Sequence, residues 1–180
     1  MENKVKLVKR KHTRLKCYDY SDNGYYFVTV CSNQMKNIFS KIYPDNVGRG
    51  LAPAEKRYGD TIVRLTKIGK IIEEQLLDIE NRFDFVKIDE YVIMPNHIHF
   101  VIIFQGKTAG ASPRPTLTDV ICTFKSLTAI KCNKVDNMKG RKIFQTSFYE
   151  HVIRNENSYL NIWQYINENP RKWENDKYYI

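Results

Sequence analysis

The strongest constraint on the fold lies in residues 85–104. Phe85-Val86-Lys87-Ile88-Asp89-Glu90-Tyr91-Val92-Ile93-Met94 alternates as a strand does, and Pro95-Asn96 cannot continue it. His97-Ile98-His99-Phe100-Val101-Ile102-Ile103-Phe104 then resumes with β-branched and aromatic residues, so the two segments are read as a hairpin. Tyr25-Tyr26-Phe27-Val28-Thr29-Val30-Cys31, after the turn residues Ser21-Asp22-Asn23-Gly24, is a further strand and a candidate for the sheet centre. Phe148 to Arg154 is a short fourth one.

Helical spacing accounts for much of the rest. Ile62, Leu65, Ile68, Ile72, Leu76 and Ile79 recur at three- and four-residue intervals. A second helix follows a cap at Thr116 or Thr118, with Val120, Ile121, Phe124, Leu127 and Ile130 on its apolar side. A last helix runs from about Asn157 to Asn169, where Pro170 follows. Residues 44–60 and 106–115, rich in Gly and Pro, are read as loops. The order of elements predicts an α+β fold, an antiparallel sheet with helices packed on one face. At 180 residues one domain is expected, spanning 17–180 behind a basic arm over 1–16 that carries seven Lys or Arg against one acid.

Composition excludes several classes. Lys and Arg total 29 against 20 Asp and Glu, a formal charge of +9, which favours an acidic partner such as nucleic acid or an anionic membrane surface. No segment approaches the ~18 apolar residues of a membrane span. The charged N-terminus is not a secretory signal, and the four cysteines show no metal-finger spacing, so a reduced cytoplasmic chain is expected.

Two features could carry chemistry. His97 and His99, two apart on a strand, point to one face while Ile98 enters the other. Two neutral imidazoles so placed can grip a divalent cation, although the same spacing suits a pair of surface histidines on an edge strand. Tyr165 and Asn169 share one face of the last helix at i and i+4, with Glu168 at i+3. The alternative is that Tyr165 packs with Ile162 and Trp163 as an aromatic core stripe.

The segment Tyr91-Val92-Ile93-Met94-Pro95-Asn96-His97-Ile98-His99 resembles the signature of the single-tyrosine HUH transposases, in which U is hydrophobic. The REP-associated tyrosine transposases are the branch most similar. Asp19-Tyr20-Ser21, Gly24-Tyr25-Tyr26-Phe27-Val28-Thr29, Phe148-Tyr149-Glu150-His151-Val152-Ile153-Arg154-Asn155 and Tyr165-Ile166-Asn167-Glu168-Asn169-Pro170 match further family marks in order, from about residue 17 to 173. The resemblance implies a ferredoxin-like sheet that presents His97 and His99 as metal ligands opposite a C-terminal helix bearing the nucleophile Tyr165. Relatives carry Gln one turn after the tyrosine as a third ligand, and Asn169, one methylene shorter, stands there in this chain. His151 also matches a recurring position, and we read it as structural rather than as a DNA contact.

The implied activity is that of a bacterial transposase acting on single-stranded DNA at hairpin-forming palindromic repeats. It would proceed through a 5′-phosphotyrosine with Mg²⁺ or Mn²⁺, in a nucleoid-associated monomer or homodimer. The alternatives are a non-catalytic nucleic-acid-binding protein on the same fold and a nuclease using activated water. Candidate DNA contacts are Lys9, Arg10, Lys11 and Arg14 of the arm, with Lys125, Arg154, Arg171 and Lys172. Lys131, Lys134, Lys139, Arg141 and Lys142 are further cations that could track the backbone.

Overall fold

A computed structural model describes residues 18–45, 55–106 and 114–179. The arm that holds Lys9, Arg10, Lys11 and Arg14 lies outside the described residues, as do 46–54 and most of the 106–115 loop. Among the described residues seven strands occur in chain order: β1 (Gly24–Cys31), β2 (Ser40–Pro44), β3 (Glu55–Tyr58), β4 (Thr61–Leu65), β5 (Val86–Ile93), β6 (His97–Phe104) and β7 (Tyr149–Ile153). Helices α1 (Lys67–Leu77) and α2 (Ile79–Arg82) precede β5, α3 (Leu117–Val135) precedes β7, and α4 (Glu156–Glu168) follows it.

The main sheet has the order β5-β6-β1-β7 and every pairing in it is antiparallel. Leaving out the small β2-β4-β3 sheet, the path is strand, helix, hairpin, helix, strand. That is the expected ferredoxin-like arrangement, with the expected hairpin across Pro95-Asn96. Strands β6 and β1 are therefore central and β7 is an edge.

Alternation along β1 and β6 divides the interior in two. Tyr26, Val28, Val30, Ile98, Phe100 and Ile102 point into a large core closed by α1 and α3. Phe27, Val92, Val101 and Ile153 point the other way and pack with Ile166 of α4. The pair α1 and α3 thus shares one face as expected, and the C-terminal helix covers the opposite one. Capping sets where the helices begin. Thr116 and Asp119 form a reciprocal capping box on α3, and the Asn155 side chain accepts the Ser158 N–H at 2.8 Å on α4.

Three expectations need correction. Residues 61–65 form a strand rather than the first turn of a helix, and Glu55–Tyr58 within the anticipated 44–60 loop pairs with it. The segment Thr61-Ile62-Val63-Arg64-Leu65 also satisfies a period of two, and pairing on both sides decides in favour of the strand. Its helix starts only at Thr66, whose hydroxyl accepts the Gly69 N–H at 3.0 Å. On α3, Thr128 rather than Ile130 is buried, and Ile130 is 61% exposed.

Helix α1 approaches the β1–β2 connection so closely that only glycine fits at 69. A Cβ there would lie 2.0 Å from the Phe39 carbonyl oxygen. Gly69→Ala is expected to force the helix off the sheet at a cost of about 1–3 kcal/mol, lowering Tm by roughly 3–10 °C in thermal denaturation.

Candidate metal and nucleophile centre

His97 and His99 are fully buried on the central strand β6, facing α4. Their ring centroids are 4.4 Å apart. A pair of surface histidines on an edge strand is thereby excluded. Each ring is oriented through its Nδ1. His97 Nδ1 lies 2.9 Å from Asn96 Oδ1, and His99 Nδ1 lies 2.8 Å from the Thr29 hydroxyl of β1, its register partner. The amide nitrogen of Asn96 donates to the carbonyls of Met35 and Tyr178, so its oxygen faces His97 and takes the Nδ1 proton. The lone pair of His97 is then on Nε2, which is buried without a hydrogen-bond partner among the described residues.

Tyr165 projects from α4 into the same space. Its hydroxyl stands 3.2 Å from His99 Nε2, and its ring meets Phe27 edge to face. With Nδ1 of His99 donating to Thr29, the phenol donates to Nε2. Trp163 lies on the outer side of the helix, 44% exposed, so Tyr165 is not part of an aromatic core stripe with it. Burial pushes the Tyr165 phenol up to about 12, with Asp176 and Tyr178 adding to the rise and Asn169 opposing it.

The residue that sequence reasoning missed is Asp176. After α4, Pro170 starts a 3₁₀ segment, Asn169–Asn175, that turns the chain back towards the histidines. One ligand atom from each of His97, His99 and Asp176 falls within 4.8 Å of the others. The carboxylate is held by the Asn169 amide nitrogen at 2.6 Å on Oδ2 and by the Tyr178 N–H at 2.7 Å on Oδ1. Asn169 thus lies beside the histidines and Asp176; its nitrogen orients Asp176, while its Oδ1 is buried without a hydrogen-bond partner among the described residues. Glu168 is engaged elsewhere, by Gln164 and Lys172. No local pattern marks Asp176, because the turn that returns it becomes visible only in three dimensions.

The donors fit a divalent cation. Two neutral imidazoles and a carboxylate converge, one imidazole lone pair is orphaned, and both rings donate their other N–H to a fixed oxygen. A cavity of about 430 Å³ opens on the centre, between Tyr149, Tyr165 and Asp176, with Lys172 and Lys177 on its rim.

The remaining sequence candidates divide. Lys172 borders this cavity, and Arg171 pairs with Asp60 at 3.1 Å. Arg154 is exposed at the end of β7, and His151 is exposed on the histidine-bearing face. Lys125 is not free for DNA: its half-buried ammonium donates to the carbonyls of Gln145 and Thr146 at 2.7 and 2.8 Å. Lys131 and Arg141 bind Glu74 and Asp136 on the α1–α3 side, with the sheet between them and the centre.

A four-stranded antiparallel sheet bearing paired histidines, opposed by a tyrosine-bearing helix, defines a class that comparison with known proteins identifies. Residues 56–169 match the family described as "Transposase IS200 like". The chain belongs to that family. A Haemophilus influenzae protein, called only "Uncharacterized protein", is 30% identical over 95% of this chain and 93% of its own length. Among solved structures, a REP-associated tyrosine transposase bound to a REP hairpin superposes with a TM-score of 0.53 at 18% identity, covering 89% of this chain and 72% of that one. Its fold is shared. No helix of the described residues is long and apolar enough to cross a membrane.

Desolvation holds the His97 imidazole down to about 4, against a smaller upward pull from Asp176, and keeps His99 well below its usual range. Both are neutral when folded at pH 7, whereas an unfolded histidine titrates near ~6.5. Below that pH the unfolded chain binds protons the native state refuses, so stability is full above about 6.5 and falls as pH drops towards 4. In chelator-containing buffer, Tm should decline over this window, and the decline should be shallower in His97→Gln.

Proposed function

We propose that this protein cleaves and rejoins single-stranded DNA at hairpin-forming palindromic repeats, with Tyr165 as nucleophile. The observation that carries the reading is the Tyr165 hydroxyl 3.2 Å from His99 Nε2, beside the convergent His97, His99 and Asp176. The REP hairpin in the structural neighbour supports hairpin DNA as the substrate. The phenolic oxygen attacks phosphorus, the P–O3′ bond breaks, and a 5′-phosphotyrosine and a 3′-hydroxyl result. The leaving oxygen takes up a proton, and attack by a 3′-hydroxyl reverses the step on the same or another strand.

Held near 12, the Tyr165 phenol is almost wholly protonated at pH 7, so its proton has to leave as the oxygen attacks. His99 Nε2 accepts the phenol's hydrogen bond while Thr29 holds the ring from behind; a lone pair given to a cation cannot also take the proton, which then passes to water in the adjoining cavity. Lys172 and Lys177 on the cavity rim supply positive charge to the phosphate. His97, His99 and Asp176 would hold Mg²⁺ or Mn²⁺, which would polarise the phosphate oxygens and orient the scissile bond. Imidazole ligands are better tolerated by Mn²⁺ than by Mg²⁺.

Incubation with labelled hairpin-bearing single strands and either cation, followed by denaturation, tests the proposal. The wild type should yield a covalent protein–DNA adduct that Tyr165→Phe and His97→Ala both abolish. Asn96→Ala, which frees the His97 ring, should reduce it roughly 10- to 100-fold. Binding without an adduct would overturn the reading in favour of a non-catalytic DNA-binding protein. Cleavage that survives Tyr165→Phe would overturn it in favour of activated water.

A further inference from the structure

A second cavity, about 480 Å³, lies on the same face of the sheet at the far end of β1, between Tyr25, Asp89, Ile153, Arg154 and Tyr159. That volume falls in the ~300–1,000 Å³ range of small-ligand sites. Strand register places it. Tyr25 pairs with Ile153 of β7 and Ile103 of β6, while Thr29, four residues on, pairs with His99. Four residues of strand span about 13 Å, or some four stacked-nucleotide rises of ~3.4 Å.

The cavity is built, not incidental. Tyr159 of α4 stands edge-on to Tyr25 at 5.9 Å and donates its hydroxyl to Asp89 at 2.6 Å, which pins the helix to the bulge in β5. Tyr25, 44% exposed, turns aromatic surface to solvent there. Arg154 makes no ion pair among the described residues, and it lines the same cavity. The two cavities are joined. A shallow groove along the edge strand β7, past His151, shares Phe27 and Tyr149 with the Tyr165 cavity and Asn155 with the Tyr25 cavity.

We propose that the Tyr25 cavity is a subsite for one unpaired nucleobase of the DNA strand, stacked on Tyr25 with its phosphate against Arg154. The groove along β7 carries the intervening nucleotides to Tyr165. The inference rests on the proposed function for the identity of the polymer. Aromatic surface beside an unpaired cation is what single-stranded nucleic acid requires, and stacking of this kind tolerates any base. A buried peptide or lipid tail would leave Arg154 without a counter-charge.

The test uses full-length protein carrying Tyr165→Phe, so that binding is read without cleavage. The probe is a stem-loop oligodeoxynucleotide with ten-thymidine single-stranded flanks, titrated by fluorescence anisotropy, with each flank position replaced in turn by an abasic nucleotide. One position should emerge at which removing the base weakens binding roughly 5- to 150-fold. Adding Tyr25→Ala should cause a similar loss with intact DNA and erase sensitivity at that one position, while Tyr25→Phe retains both. Arg154→Gln should reduce the slope of log affinity against log salt by about one. Unchanged affinity in Tyr25→Ala, or an abasic penalty that simply adds to it, overturns the subsite and leaves the proposed function standing. Failure of the parent protein to bind the probe overturns both.

Discussion

The arrangement depends on one constraint, that side chains two apart on a strand share a face. On β6 this sends Ile98 into the core beneath α1 and α3 and both flanking imidazoles to the side covered by α4. Because β6 is central, the imidazoles are also stripped of water. Their neutrality, their fixed Nδ1 donors and the unpartnered lone pair of His97 all follow from that position. The same burial that makes the histidines poor bases in the acid range keeps them ready as ligands at neutral pH.

The other half of the centre is supplied by the chain's return after α4. Pro170 ends the helix and the 3₁₀ segment brings Asp176 beneath the Asn169 amide. The hairpin residue Asn96 ties these halves together, with its oxygen on His97 and its nitrogen on the Tyr178 carbonyl. At His97 desolvation and the Asp176 carboxylate pull in opposite directions, and desolvation prevails. For Tyr165 the two act together, which leaves the phenol reliant on a local acceptor for its proton.

The distribution of charge also acquires meaning only on the fold. Several cations that sequence alone nominated are held by acids or carbonyls on the α1–α3 side, Lys125, Lys131 and Arg141 among them. Of the nominated cations Lys172 and Arg154 border cavities on the histidine-bearing face, where the structure adds Lys177. A summed charge therefore says little about a path for a polyanion until the two sides of the sheet are told apart.

Much of this protein could be read from local pattern. The four main-sheet strands, the hairpin at Pro95-Asn96, the cap at Thr116 and the shared face of His97 and His99 are short-range consequences of residue type, and Tyr165 with Asn169 follows from helical spacing. Residues 61–65 satisfy both a helical and a strand period, and only pairing with β2 and β3 chooses between them. Helical spacing puts Asn169 beside Tyr165, but that its amide nitrogen holds Asp176 depends on the return of the chain after α4. Asp176 lay beyond the reach of sequence altogether. Periodicity determines which residues share a face, but which faces meet is decided by packing between elements distant in the chain.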